Sequence, residues 1–282
     1  MSKLRSIIRN MRFLIMLLLA ATTSMAFAQS EPVANRIFFY WGWNRAVYQK
    51  SDIHFTGEGY DFVLNNVAAR DRQSAFNIDP YFKLNSITIP QTNMRLGYIF
   101  NDKYSISIGD DHMKYVMRQY QEVTIDGYIK GSELFSGQYD NQNITLIPQF
   151  LTYEHTDGLN YINAEIRRHD TWFTYFEEKV KIASVFGVGA GIMLPKTNSK
   201  LMEKERNDEF HLAGWGTAAM GGITITFFDY FFIQSEVKGG FINMPDVRTS
   251  PDPSDKASQH FFFLQNNYVF GVSLPLRKSA EN

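Results

Sequence analysis

The stretch Asn93-Met94-Arg95-Leu96-Gly97-Tyr98-Ile99-Phe100, the polar triplet Asn101-Asp102-Lys103 and the stretch Tyr104-Ser105-Ile106-Ser107-Ile108-Gly109 decide the fold. Successive side chains of a strand point to opposite sides, so Met94, Leu96, Tyr98 and Phe100 share one face while Asn93, Arg95 and Gly97 share the other. Beyond the triplet, Tyr104, Ile106 and Ile108 oppose Ser105, Ser107 and Gly109 in the same manner. Two alternating runs joined by three polar residues read as an antiparallel hairpin. One face of that hairpin is apolar, and the other carries an arginine among small and polar neighbours.

Six more segments repeat the pattern. Ile37, Phe39, Trp41 and Trp43 alternate with Tyr40, Gly42, Asn44 and Ala46, in a strand ending near Tyr48. Ile162, Ala164 and Ile166 stand against Tyr161, Asn163, Glu165, Arg167 and His169. Ile182, Phe186, Val188 and Ile192 stand against Gly187, Gly189 and Gly191, and Ile223, Ile225 and Phe227 against Gly222, Thr224 and Thr226. Phe231, Ile233, Val237 and Phe241 alternate with Gln234, Glu236, Lys238 and Gly240, and Tyr268, Phe270, Val272 and Leu274 with Asn267, Gly271 and Ser273. The strand count is therefore eight, with ten as the alternative.

Connection lengths alternate too. Those near 101–103, 177–179 and 228–230 are brief, whereas 49–90, 118–159, 195–212 and 246–258 are long and polar. A soluble sandwich has no reason to alternate in this way. The reading is all-β: a transmembrane antiparallel up-and-down β-barrel with short periplasmic turns, long extracellular loops and both termini on the short-turn side. Aromatic residues make up 15% of the chain, which suits strands set between lipid and a polar interior.

Residues 1–28 have the layout of a cleaved secretory signal peptide: basic Lys3, Arg5, Arg9 and Arg12, an apolar run Phe13–Ala21, then Ala26-Phe27-Ala28 before the expected cut. Residues 29–282 would then form the barrel, in the outer membrane of a Gram-negative bacterium. The whole chain has 28 basic and 29 acidic residues, and the four basic ones in the signal leave 24 against 29. That balance argues against nucleic-acid binding. There are no cysteines, hence no disulfides, thiolate metal sites or lipidated cysteine.

The strand and loop pattern resembles the small eight-stranded outer-membrane barrels, a group that includes the OmpA transmembrane domain, OmpX and the lipid A deacylase PagL. The resemblance covers most of residues 29–282 and implies the fold, and PagL-like members imply that such a barrel can carry an acyl-hydrolase site. Fold likeness alone assigns no activity.

An eight-stranded barrel has an interior just wide enough to fill with side chains. The inward parity collects Arg95, Glu165, Arg167, His169, Glu236 and Lys238, which are expected to pair, because an unpaired buried charge is costly. A lumen filled in this way conducts little, which argues against a general porin.

Three polar clusters fall toward the long-loop end: Ser51-Asp52-Ile53-His54, Asp110-Asp111-His112-Met113-Lys114-Tyr115 and Glu154-His155-Thr156-Asp157-Gly158-Leu159-Asn160-Tyr161. One reading is an outer-leaflet lipid (lipid A or phospholipid) acyl hydrolase, with His112 or His155 as base, Glu154 or Asp111 orienting it and Ser51 as nucleophile. A second is a metal site drawn from His54, His112 and His155 with carboxylate partners. The third is that these groups tie the loops together, with Thr156-Asp157-Gly158 as a turn. Continued alternation would aim Asp110, His112 and Lys114 at lipid unless the strand has left the hydrocarbon or a bulge near Asp110-Asp111 flips its register. Strand-like text around Gly57-Glu58-Gly59 and from Gln121 to Ile129 suggests strands rising above the membrane.

Gly187-Val188-Gly189-Ala190-Gly191 lacks the helix start and lysine of a phosphate-binding loop, so no cofactor is implied. Taken together, the expected role is structural, adhesive or partner-binding through the outer loops, with the acyl hydrolase as the rival. Expected partners are outer-membrane lipid, lipopolysaccharide and an envelope protein. Arg70-Asp71-Arg72 is a candidate headgroup contact.

Overall fold

A computed structural model of the chain describes residues 34–75, 77–81 and 90–276. The signal-like residues 1–28 lie outside them. Fifteen strands, β1 to β15 in chain order, and one helical turn (Ile78–Tyr81) make up most of the described residues. Eight of the strands form a ring: β1 (Arg36–Tyr48), β5 (Thr92–Ile99), β6 (Tyr104–Met117), β9 (Leu151–Tyr175), β10 (Val180–Met193), β13 (Gly214–Phe227), β14 (Phe231–Arg248) and β15 (Lys256–Pro275). Each is antiparallel to the next in that order, and β1 closes on β15 from Arg36↔Pro275 to Tyr48↔Phe263. Closure leaves no open edge in the ring, which is the condition for strands to cross lipid.

The alternation read along the chain sets the faces. Phe39, Leu96, Ile108, Phe186, Ile233 and Phe270 point away from the ring and are exposed, while Tyr40, Arg95, Ser107, Glu165 and Lys238 point into it and are buried. The short turns after β5, β9 and β13 lie at one end together with the paired ends Arg36 and Pro275. The turn after β13 is tight on non-glycine residues: Phe228 and Asp229 both have positive φ, as the strands' own twist favours, and the Tyr230 N–H bonds to Phe227 O at 3.1 Å. Tyr104, Trp172, Tyr175, Phe228 and Tyr230 gather near that end, as an aromatic girdle does at a membrane interface.

At the other end the long connections are not irregular polar loops. They contain β2 (Ser51–Gly57), β3 (Tyr60–Val67), β4 (Ala69–Arg70), β7 (Glu122–Ile129), β8 (Gly137–Thr145), β11 (Lys196–Leu201) and β12 (Asn207–Phe210). The outer parts of β14 and β15 continue into β2-β3-β7-β8, while those of β6 and β9 continue into β4 on one side and β11-β12 on the other. The two sheets face each other. Phe55 and Phe62 of the first reach Tyr153 and Phe150, with ring centroids 5.9 and 5.8 Å apart, and Phe261 stacks on Tyr115 at 5.2 Å.

Their shared core holds Ile53, Leu64, Met113, Ile125, Leu151 and Ile242, all fully buried. Burying an aromatic or aliphatic side chain of this kind contributes about 1.5–3 kcal/mol. The sequence expectation of polar loops therefore needs correction. The inward-facing apolar residues are spread singly between polar ones, so they register as a core only once the strands are paired.

The expected register flip near Asp110-Asp111 also has a different form. Asp110 keeps the outward direction of Ile108, and Asp111 keeps the inward direction of Ser107. The irregularity comes later and on the partner strand, where Thr156-Asp157-Gly158 of β9 stands opposite Lys114 alone. Gly158 takes φ +130 there, so the triplet is a bulge inside a long strand and not a turn between strands.

Candidate functional site

Inside the membrane ring the inward side chains of six strands, β1, β5, β6, β9, β14 and β15, converge. Glu165 of β9 accepts from Arg95 at 2.9 Å, from Arg167 at 2.6 Å and from Lys238 at 2.8 Å. Lys238 also reaches Asp111 at 2.6 Å, and Arg167 reaches Glu236 at 3.1 Å. Three cations and three carboxylates thus balance, all almost wholly buried.

The spare hydrogen-bonding capacity is taken up by neutral groups. The Tyr40 hydroxyl accepts from Arg95 at 3.0 Å and Arg167 at 2.9 Å. Asn163 accepts from Arg95 at 2.7 Å and donates to Asp111 at 3.0 Å. Gln234 and Asn267 donate to Glu236 at 2.6 and 2.8 Å. Asn93 donates to Asp111, and Asn44 to Asn93.

Two glycines make room for this packing. A Cβ on Gly189 would lie 2.5 Å from Cγ of Glu165, and one on Gly222 would lie 2.7 Å from Cβ of Glu236. The glycine-rich run on β10 is thus a space requirement of the lumen. Five of the six residues expected in the interior meet in this network: Arg95, Glu165, Arg167, Glu236 and Lys238. His169 makes no ion pair with them. Its Nε2 pairs with Ser105 Oγ at 2.9 Å, and it lines a separate cavity.

That cavity, of about 260 Å³, lies between the network and the short-turn end. Phe38, Ile99 and Phe232 form its apolar wall and Arg36, Lys181 and Asp229 its polar one. Lys181 is bound to Asp229 at 2.9 Å, and Arg36 donates to Ser273 Oγ at 2.9 Å. Its charged groups are therefore largely satisfied within the chain.

The histidines and carboxylates singled out at the outer end do not assemble. Asp111 belongs to the lumen network and does not orient His112. His112 Nδ1 donates to the Asn160 side-chain carbonyl at 2.7 Å. His155 is fully buried in the outer core between the rings of Tyr115 and Tyr153, with Nδ1 on Thr197 Oγ1 at 3.1 Å. Burial pushes its pKa down to about 3, so the ring is neutral at ordinary pH.

Glu154, on the opposite face of the same strand, binds Arg72 at 3.2 Å. Ser51 is buried, and His54 donates to Asp61 at 2.7 Å near the surface. No cluster of metal-ligating side chains occurs among the described residues, so His54, His112 and His155 form no common site there. The hydrolase reading needs a serine, a base and an orienting carboxylate in contact, but His112, His155, Glu154 and Asp111 each have other partners, and the buried Ser51 hydroxyl bonds to none of them.

Tyr40, Asn163 and Asn93 all sit on the inward parity but are not among the charged residues expected to fill the interior. Polar character at an inward position was the available signal, and it identifies them as well as it identifies the charges.

The ring is polar inside and apolar outside, closed, with short turns at one end, and is a β-barrel of the outer-membrane type. No protein-family model and no curated protein sequence matches the chain. Among solved structures it is similar to the outer membrane protein OprG from Pseudomonas aeruginosa, at 9% identity and TM-score 0.39 over 86% of this chain and 97% of that one. It is also similar to the outer membrane protein AlkL, at 8% identity and TM-score 0.40 over 92% and 100% of the two chains. The attachment invasion locus protein Ail of Yersinia pestis aligns at 10% identity and TM-score 0.28 over 84% and 99%.

Proposed function

We propose that this outer-membrane barrel holds a rigid β-sandwich outside the cell, for an adhesive, structural or partner-binding role. The observation that carries the reading is that the interior is plugged from the middle of the membrane outward, above the cavity at the short-turn end. A neutral ion network occupies the lumen within the membrane, and an apolar core occupies the space between the outer sheets. A pore needs a water-filled path, and an enzyme needs an accessible constellation of reacting groups. A plugged interior serves neither purpose, but it makes a stiff support for an exposed surface. The free edge of that surface is the β7–β8 hairpin, whose strand β8 ends the sheet and is exposed on both faces.

The test compares cells lacking the gene with cells carrying either the full chain or a chain whose β7–β8 tip, residues 131–140, is replaced by a short Gly-Ser linker. Attachment of cells to each other and to surfaces is expected to fall in the first and third strains. The linker variant should keep the heat-modifiable gel migration of a folded barrel. Unchanged attachment together with a loss of solute uptake in the deletion strain would contradict the proposal.

A further inference from the structure

The outer face of the sheet β4-β6-β9-β11 carries a charge pattern that neither the lumen nor the β7–β8 tip explains. Residues paired across antiparallel strands share a face. Arg70↔Val116, Val116↔Glu154 and Glu154↔Asn198 therefore make one outward row, and Thr152↔Lys200 belongs to the next row outward, with Arg118 just past the end of β6. Arg70, Arg72 and Arg118 line a groove of about 680 Å³ together with Gln119, Tyr120 and Glu154. Its one carboxylate is already engaged: Glu154 holds Arg72 at 3.2 Å and accepts from Asn198 and Thr156, each at 3.2 Å. Arg70 and Arg118 are exposed and have no ion-pair partner among the described residues, and Lys200 beside the groove has none either.

Tyr120 adds a second kind of surface. It is 72% exposed and is held at φ +60, an unusual conformation for an aromatic residue, by its backbone N–H bonded to Leu146 O at 2.8 Å. The groove therefore combines two unneutralised guanidinium forks with an exposed aromatic ring on a fixed backbone. Guanidinium groups match phosphate oxygens in paired hydrogen bonds, and an aromatic face suits the apolar side of a sugar ring.

Height above the membrane selects the source. The outward apolar run of β6 ends at Ile108, and Asp110 follows it. At about 3.3 Å per residue and a tilt of 35–45°, the row of Val116 stands roughly 15 Å above Asp110. The polar headgroup layer on one side of a bilayer is only about 5–8 Å thick. The groove thus clears the headgroups and sits at the level of the sugars that lipopolysaccharide carries above them.

We infer that the groove formed by Arg70, Arg72, Arg118 and Tyr120 binds the phosphorylated core oligosaccharide of lipopolysaccharide. The site is separate from the β7–β8 tip, so it stands or falls independently of adhesion.

The full chain, reconstituted in nanodiscs of phosphatidylcholine alone, is titrated calorimetrically with isolated phosphorylated core oligosaccharide. Saturable binding is expected, weakened at least tenfold when the same oligosaccharide is dephosphorylated. Arg70→Gln and Arg118→Gln should each weaken it about tenfold, the size of one lost charge-assisted interaction. Tyr120→Ala should weaken it while leaving the dependence on salt unchanged. All three positions are exposed, and heat-modifiable migration checks that each variant is folded. Equal binding of the dephosphorylated sugar, or wild-type affinity in the double arginine variant, would overturn the inference. Tighter binding of a sulfated glycosaminoglycan than of the core oligosaccharide would also overturn it, by assigning the groove to a foreign glycan.

Discussion

The same strands run through two regions built on opposite rules. Within the membrane, β6, β9 and β15 turn Ser107, Asp111, Asn163, Glu165, Gln265 and Asn267 inward and apolar residues outward. A few residues further out, the inward positions of these strands are Met113, Tyr115, Leu151, Tyr153, Ala257 and Phe261. Apart from the bulge at Thr156-Asp157-Gly158 the alternation continues, while β6, β9 and β15 exchange β5, β10 and β1 for β4, β11 and β2. What changes is the medium outside the sheet. Lipid accepts the apolar face, which leaves polar groups to fill the lumen, whereas water accepts the polar face and drives the apolar one inward. The difference teaches that inside and outside cannot be assigned from alternation alone, without knowing where along the strand the solvent changes.

The comparison is broken most forcefully from within the lumen. Glu165→Gln leaves three buried cations against two carboxylates, and is expected to cost about 3–5 kcal/mol in urea unfolding of the barrel in lipid vesicles. Adding Lys238→Met to that variant restores the balance and should recover part of the loss. If the single variant proves as stable as the parent, the network is not what fills the lumen. In the outer region the corresponding test is Phe62→Ala, with an expected cost of about 3–5 kcal/mol. The loss should fall on the sandwich, seen as protease cutting in residues 49–70, while the ring keeps its heat-modifiable migration.

A smaller effect sharpens the outward faces. Leu96→Arg places a charge on the lipid face and should cost roughly 2–4 kcal/mol, whereas Val63→Arg on the water-facing side of β3 should stay within about 0.5 kcal/mol. Similar costs at both positions would mean that the two regions share one solvent.

His155 separates the regions by pH. Its pKa is held at about 3 in the folded chain by burial, below the ordinary value of 6.5. The unfolded chain therefore binds the proton first as pH falls, and stability that is present above pH 6.5 is progressively lost toward pH 3. Between pH 6.5 and pH 5 the sandwich should lose about 2 kcal/mol through this group. Protease sensitivity of residues 49–70 measured across that range reads the loss, and His155→Phe should flatten its pH dependence.

Much of the barrel was legible in the sequence because one solvent governs each ring strand over its whole membrane length. The alternation around Asn101-Asp102-Lys103 identifies the hairpin, its faces and the inward Arg95, and the same alternation in β9 and β14 identifies Glu165, Arg167, Glu236 and Lys238. The outer strands were visible only in part, at Gly57-Glu58-Gly59 and Gln121–Ile129. Strands such as β11 and β12 are short and mostly polar, and their assignment depends on partners far away in the chain.

The candidate site was less legible still. Asp111 and His112 are sequence neighbours on opposite faces of one strand, so closeness along the chain suggested a contact that the pleat forbids. Glu154 and His155 are divided in the same way. The basic groove was hinted at only by Arg70-Asp71-Arg72, because Arg118 and Tyr120 join it through strand pairing and have no shared local motif.

The plugged interior is tested most directly by electrical measurement on the purified, folded chain in planar lipid bilayers. The account predicts insertion, verified by heat-modifiable migration of the recovered protein, with no stable ion conductance above that of the bare bilayer. A reproducible ohmic channel formed by the full chain would contradict it.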